Sequence, residues 1–238
     1  MKRSQAALLV LLIVAPIQLV GTTAAMVWFP DSAAAKVGFG VAKVLLMLAP
    51  LAWLVGVEKV RPRVPRWSGR GMVAAHVTGL LIFAAIAAGY YTLGRHWIDA
   101  ALMRDKVRAM GVAHPWLYLA GALYWCTINS LLEEYFWRWF VFERLRDVLR
   151  SARNARLADP RNLAAAVIAS LLFTAHHVVA LRVYFDWNVA LLGSLGVFVG
   201  GLTWSLIYLR YRNIYAAYVS HVYADLIIFY LGYRLLFG

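Results

Sequence analysis

Charge is scarce in this chain. Only 15% of its 238 residues are Asp, Glu, Lys or Arg, and 63% are hydrophobic, whereas an average soluble domain carries about 25% charged residues. So little polar surface excludes an ordinary soluble fold of this length. Cysteine is nearly missing as well: Cys126 stands alone, which excludes an intrachain disulfide and any Cys-based metal site, and it reads as a small buried hydrophobe. No segment repeats another and none is of low complexity. Acidic residues are also few, eleven against 24 basic ones, for a net charge of +13. That excess could suggest nucleic acid, but no continuous basic face or nucleic-acid motif is present, so no nucleic-acid partner is expected.

What the chain has instead is apolar runs near the length that spans a bilayer. Seven can be read, at about 6–28, 37–57, 72–94, 115–142, 162–181, 187–209 and 213–236. Continuous runs of this length satisfy their backbone as helices inside lipid. The expected fold is therefore all-α: a polytopic transmembrane bundle of about seven spans, eight if the last run is broken near 213–218, forming one membrane-embedded domain over 1–238. Met1, Lys2, Arg3 and the apolar run to about Trp28 imitate a signal peptide, but the run exceeds the usual length and reads as an uncleaved first span.

The basic residues between the runs alternate in density. Fifteen fall on one side: Lys2 and Arg3, then Lys59, Arg61, Arg63, Arg66 and Arg70 around Pro62 and Pro65, then Arg144, Arg146, Arg150, Arg153, Arg156 and Arg161, then Arg210 and Arg212. Seven fall on the other: Lys36, Arg95, Arg104, Lys106, Arg108, Arg182 and Arg234. The positive-inside rule then places the N-terminus in the cytoplasm, and a bacterial cytoplasmic membrane is the expected location. Trp28, Trp97, Trp116, Tyr118 and Tyr211 sit at span ends as interfacial anchors. Gly193, Gly196, Gly200 and Gly201 would let the sixth span approach its neighbours closely.

A charged side chain inside a span costs about 2.5–3.5 kcal/mol on insertion scales, so each one calls for a reason. Glu133 and Glu134 lie in the fourth run and Asp225 in the seventh; His176, His177 and His221 are also within runs, and His76 is at the edge of the third. Glu134 and Arg138 are four apart, so on a helix they face each other and pair. Glu133, turned by about 100°, is left to point elsewhere. Phe173 with His177, and His221 with Asp225, share faces by the same spacing. His176 reads as a packing residue.

Three patterns emerge in order: Glu133-Glu134-Tyr135-Phe136-Trp137-Arg138 (EExxxR), Phe173-Thr174-Ala175-His176-His177 (FxxxH) and His221-Val222-Tyr223-Ala224-Asp225 (HxxxD). Together they resemble the CAAX protease and bacteriocin-processing family, intramembrane endopeptidases related to the Ras-converting CAAX enzyme, over about residues 115–236. The resemblance implies hydrolysis of a peptide bond in a membrane-associated protein or peptide substrate, such as a prenylated CAAX-type tail, a leader or a C-terminal sorting signal. It implies that Glu133 activates water, that His177 helps hold that water, and that His221 with Asp225 stabilises the oxyanion. Glu134 and Arg138 would be the supporting pair, with Phe173 beside them. Peptide hydrolysis needs just such a base, and donors aimed at developing charge.

Asp225 departs from the family's commonest pattern, which has Asn there; it could be protonated, orient His221 or bind a metal. Glu133, His177 and His221 could also hold a single divalent metal such as zinc, so the cofactor is either that or none. Two other readings are a transporter with a Glu/His proton relay, which would be expected to show internal repeats, and a non-catalytic membrane binding or immunity protein. One geometric condition follows from the run boundaries. Glu133 can meet His177 only if the fourth span continues past residue 142 or the fifth starts later than 162; residues 143–150 hold no Gly or Pro, so the fourth span is expected to run to about Arg150.

Overall fold

The computed structural model describes residues 3–59, 68–109, 111–112, 114–150 and 157–238. Lys2, Arg61, Pro62, Arg63, Pro65, Arg66, Arg153 and Arg156, used in the topology argument, lie outside the described residues. Within them the chain is all-α, with no strand. Seven long helices and one short one follow in order: α1 (Arg3–Trp28), α2 (Ala33–Glu58) and α3 (Gly69–Trp97), the short α4 (Ala100–Ala109), α5 (115–148), and α6 (Pro160–Tyr184), α7 (Trp187–Tyr211) and α8 (Ile214–Phe237). Six are long and apolar enough to cross a membrane, which makes this an integral, multi-pass membrane protein. The seventh long helix, α5, carries the charged motif.

Local chemistry sets the helix starts. Ser32 accepts from the Ala35 amide and Ser68 from that of Gly71, each at 3.2 Å. Asp159 accepts from Arg161 N at 2.9 Å with Pro160 at the first helical position. Asn213 accepts from Tyr215 N at 2.7 Å. These caps satisfy donors that the first turn leaves free. The last span is not broken internally; the break falls before it, where Arg212 takes a left-handed conformation at φ 53° and Asn213 restarts the helix. The short α4, with basic Arg104, Lys106 and Arg108, forms in a loop whose sequence shows no apolar run.

α5 runs on through Val148, past the apolar limit at residue 142. At 1.5 Å per residue Glu133 lies about 22 Å from that end, and His177 about 25 Å from the start of α6. The two therefore sit at similar depth. The extension past 142 meets the geometric condition, while α6 begins slightly earlier than its apolar run.

Helix packing relies on small residues at a few points. A Cβ on Gly79 would lie 2.5 Å from the Tyr223 ring, so α3 and α8 can touch there only with glycine. A Cβ on Gly201 would meet Phe173 at 3.2 Å and one on Gly193 would meet Leu181 at 3.0 Å, but Gly196 has open space around it. Tyr118, expected as an interfacial anchor, packs against α8. Its hydroxyl donates to Phe229 O at 2.9 Å and its ring packs among Phe229, Tyr233 and Phe237. Trp28 and Trp116 do face outwards. Cys126 is buried.

The end of the bundle that carries the N-terminus is stitched by ions. Glu58 of α2 pairs with Arg3 of α1 at 2.6 Å and with Arg144 of α5 at 2.5 Å, and accepts from Trp53 Nε1 at 3.1 Å. Glu143 pairs with Arg146 at 2.9 Å and with Arg212, beyond α7, at 2.5 Å. Arg144 is nearly buried, whereas the Arg3 side chain is 42% exposed. Glu58→Ala, which strips Arg144 of its closest acceptor, is expected to cost about 1–3 kcal/mol, and Arg3→Ala under about 1 kcal/mol. Thermal unfolding of the purified protein should show the larger drop in Tm for the first; the reverse order would contradict this description.

Candidate active site

The glutamates of α5 sit on one α-helical turn, Ser130–Glu134, between two wider π-helical stretches, Trp125–Asn129 and Tyr135–Phe142. Such bulges often mark functional positions. The Ser130 hydroxyl donates to Trp125 O, five residues back, at 2.7 Å and so bonds inside the widened turn. The same Oγ lies 2.6 Å from Asp225 Oδ2 of α8, so its single proton is shared between the two oxygens.

Glu134 is fully buried and bridges two cations or potential cations. Its Oε2 lies 3.3 Å from Arg138 Nε, an ion pair without hydrogen-bond geometry, so neither atom has a hydrogen-bond partner. Its Oε1 accepts from His221 Nδ1 at 2.9 Å. Arg138, equally buried, reaches the Gly201 carbonyl at 3.4 Å and lies over the rings of Phe173 and Trp204 at 4.5 and 5.1 Å. One buried pair thereby ties α5 to α6, α7 and α8.

Glu133, the neighbouring residue on α5, approaches the same His221 imidazole at its other nitrogen. Its Oε1 accepts from Asn129 Nδ2 at 3.0 Å and its Oε2 lies 3.9 Å from His221 Nε2. From α6, His177 Nδ1 bonds to the Phe173 carbonyl at 2.9 Å. A carbonyl only accepts, so Nδ1 carries the proton, and in the neutral ring Nε2 keeps a lone pair. Ligand atoms of Glu133, His176 and His177 all lie within 4.8 Å of one another. From α8, His221 stacks on Trp204 with centroids 3.8 Å apart, and its Nε2 is 3.8 Å from Asp225 Oδ2. Phe173 packs against the His177 ring at 4.5 Å. His76 lies elsewhere, bonded to Tyr223 at 3.0 Å.

Residues 115–227 match the family model of the Rce1-like type II CAAX prenyl endopeptidases. This part of the chain is an Rce1-like domain. The match begins at Pro115, the first residue of α5, and ends in α8 two residues beyond Asp225, so it spans all three motifs. No curated protein and no solved structure was found that matches the chain.

The geometry of the Rce1-like domain adds contacts that spacing alone does not give. Glu134 serves Arg138 and His221 together, so His221 is oriented by Glu134 at Nδ1, while Asp225 lies near Nε2 and is held by Ser130. The three residues whose ligand atoms lie close enough to hold a metal are Glu133, His176 and His177, with His176 in place of the His221 considered from the sequence. His176 does pack, stacked on Trp137 at 5.9 Å, yet its Nδ1 is buried without a hydrogen-bond partner. The trio is the two-histidine, one-carboxylate set that divalent zinc accepts, and the carbonyl behind His177 is the kind of outer contact that fixes a ligating ring. The residues thus fit a metal as well as a water. Asn129, Ser130 and Trp204 were not singled out from the sequence, nor was Lys43, whose Nζ donates to Asn129 Oδ1 at 2.9 Å. The rule that flagged carboxylates inside apolar runs flags Lys43 equally.

Proposed function

We propose that the protein is an intramembrane endopeptidase that hydrolyses a peptide bond in a membrane-associated protein or peptide, with Glu133 activating the attacking water. The observation that carries this is the convergence of Glu133, His177 and His221 from three helices on one locus within the family-matched region. A water between the Glu133 carboxylate and His177 Nε2 would lose its proton to Glu133 as its oxygen attacks the carbonyl carbon. His221, as an imidazolium donating from Nδ1 to Glu134, has Nε2–H left for the oxyanion. Glu133 then returns its proton to the leaving nitrogen as the C–N bond breaks. Buried Glu134 and Arg138 hold His221 and the α5 backbone in place, and Asp225 lies beside the same Nε2.

A second reading changes only the activator. Glu133, His176 and His177 would hold a divalent metal such as zinc, which supplies Lewis acidity and an activated water. Cleavage by the purified protein, with and without a chelator, separates the two. The substrates to offer are a prenylated CAAX-type peptide, a leader peptide and a C-terminal sorting signal, with product masses read directly. An endoproteolytic cut that survives chelation is the expected result. Loss on chelation, restored by zinc, would select the metal reading, and no cut in any substrate would overturn both. The proton-relay alternative would string its groups across the membrane; here they meet at one level.

With the same proposal we place the protein in a bacterial cytoplasmic membrane; its N-terminus lies in the cytoplasm on the strength of the basic-residue asymmetry. A reporter fused after Arg66 or Arg153 should then report cytoplasm, and one fused near Met103 the opposite side. A cytoplasmic signal from the Met103 fusion would invert this topology.

A further inference from the structure

Lys43 lies about 15 Å along α2 from its start, well inside a span where an ammonium is costly. α2 is outside the family-matched region, so no motif accounts for this residue. Its Nζ lies 4.6 Å from the Trp125 ring centroid and 5.5 Å from that of Phe39. Its hydrogen bond goes to Asn129 Oδ1 at 2.9 Å, and the same amide donates from Nδ2 to Glu133 Oε1 at 3.0 Å. An amide can be turned either way, but an ammonium only donates. The Glu133 carboxylate only accepts, so both neighbours select one orientation of Asn129, with Oδ1 towards Lys43 and the NH2 towards Glu133. With Oε1 thus engaged, Oε2 is the oxygen turned towards His221.

We propose that Lys43 is a positioning residue for Glu133, acting through Asn129, and that α2 in this way completes a site whose other parts lie in the family-matched region. The proposal rests on Glu133 being the base of the reaction above. Without the lysine, Asn129 loses the bond that anchors its Oδ1 to α2, so the amide moves with the carboxylate it donates to and no longer holds it in place. Misplacing a base by about 1 Å can cost on the order of 100-fold in rate. A plain structural tie between α2 and α5 would instead affect stability and leave the chemical step alone.

The test uses the full-length protein in detergent or liposomes, cleaving whichever of the three peptide substrates the wild type cuts. Lys43→Met should lower kcat roughly 10- to 100-fold with KM changed by less than about 3-fold and Tm nearly unchanged. Lys43→Arg, which keeps a donating cation, should recover most of the rate. Asn129→Leu should match the loss of Lys43→Met, and the double variant should be no worse, since both remove one link. It also tests the link alone if Lys43→Met does not fold. Unchanged kcat in Lys43→Met or in Asn129→Leu, no recovery by Lys43→Arg, or losses that multiply would overturn the proposal. Glu133→Gln in the same assay keeps the two levels apart. If it still cleaves, the reading of Glu133 has failed; if it is dead while Lys43→Met is fully active, only the role of Lys43 has.

Discussion

Glu133→Gln is expected to lower kcat about 10²- to 10⁴-fold, the usual worth of a positioned general base, while the protein still folds. The substitution keeps the shape of the side chain. Its amide oxygen can still accept from Asn129 Nδ2, which is bonded to the present carboxylate at 3.0 Å. What it removes is the capacity to take a proton from water. Glu133 is also close to the surface of the buried set, 9% exposed against 0% for Glu134, so the glutamine finds room for its NH2. Steady-state cleavage together with a thermal melt makes the check. A stable variant with near-wild-type kcat would remove Glu133 from the chemistry.

Arg138→Ala should do the opposite and fail chiefly in folding. It would leave Glu134 buried with a carboxylate facing no cation on α5, and breaking a buried pair by removing one partner typically costs about 3–5 kcal/mol. The guanidinium also covers the faces of Phe173 and Trp204 and reaches the Gly201 carbonyl, so alanine opens a void at the meeting of four helices. Little folded protein should be recovered, and what remains should melt well below the wild type. Glu134→Gln should be milder, because an amide oxygen still accepts from His221. An Arg138→Ala protein as stable as wild type would mean that the pair holds nothing together.

Much of this architecture is legible in the sequence because the bilayer imposes one rule on every helix. Apolar runs located seven long helices, and several of their starts needed only cap residues such as Ser68, Asp159 and Asn213 to be refined. The i,i+4 spacing of Glu134 and Arg138 gave their pairing directly, since that contact is internal to one helix. Contacts between helices were not legible. Whether Glu134 also reaches His221 depends on the rotation of α5, which the π-helical stretches at 125–129 and 135–142 set, and no periodicity announces those. The extension of α5 to Val148 was legible only in the lack of Gly or Pro over residues 143–150, not in hydropathy. Residues 143–148 are polar because they carry the ionic cluster that binds α5 to α1, α2 and the turn after α7, so hydropathy ends where the helix does not. His176 read as packing from one face of a helix, but its ring lies between Trp137 and His177 at the edge of the same site.

The central claim is that Glu133 and His177 act on one water as one unit, and the double variant Glu133→Gln/His177→Ala tests it most directly. Single-turnover rates of peptide cleavage should be measured for the wild type, each single variant and the double. If the two groups share one step, the double variant is no slower than the slower single variant, because residues that act together are grossly non-additive. Losses that multiply, each variant lowering the rate by its own factor in the presence of the other, would contradict a single hydrolytic centre.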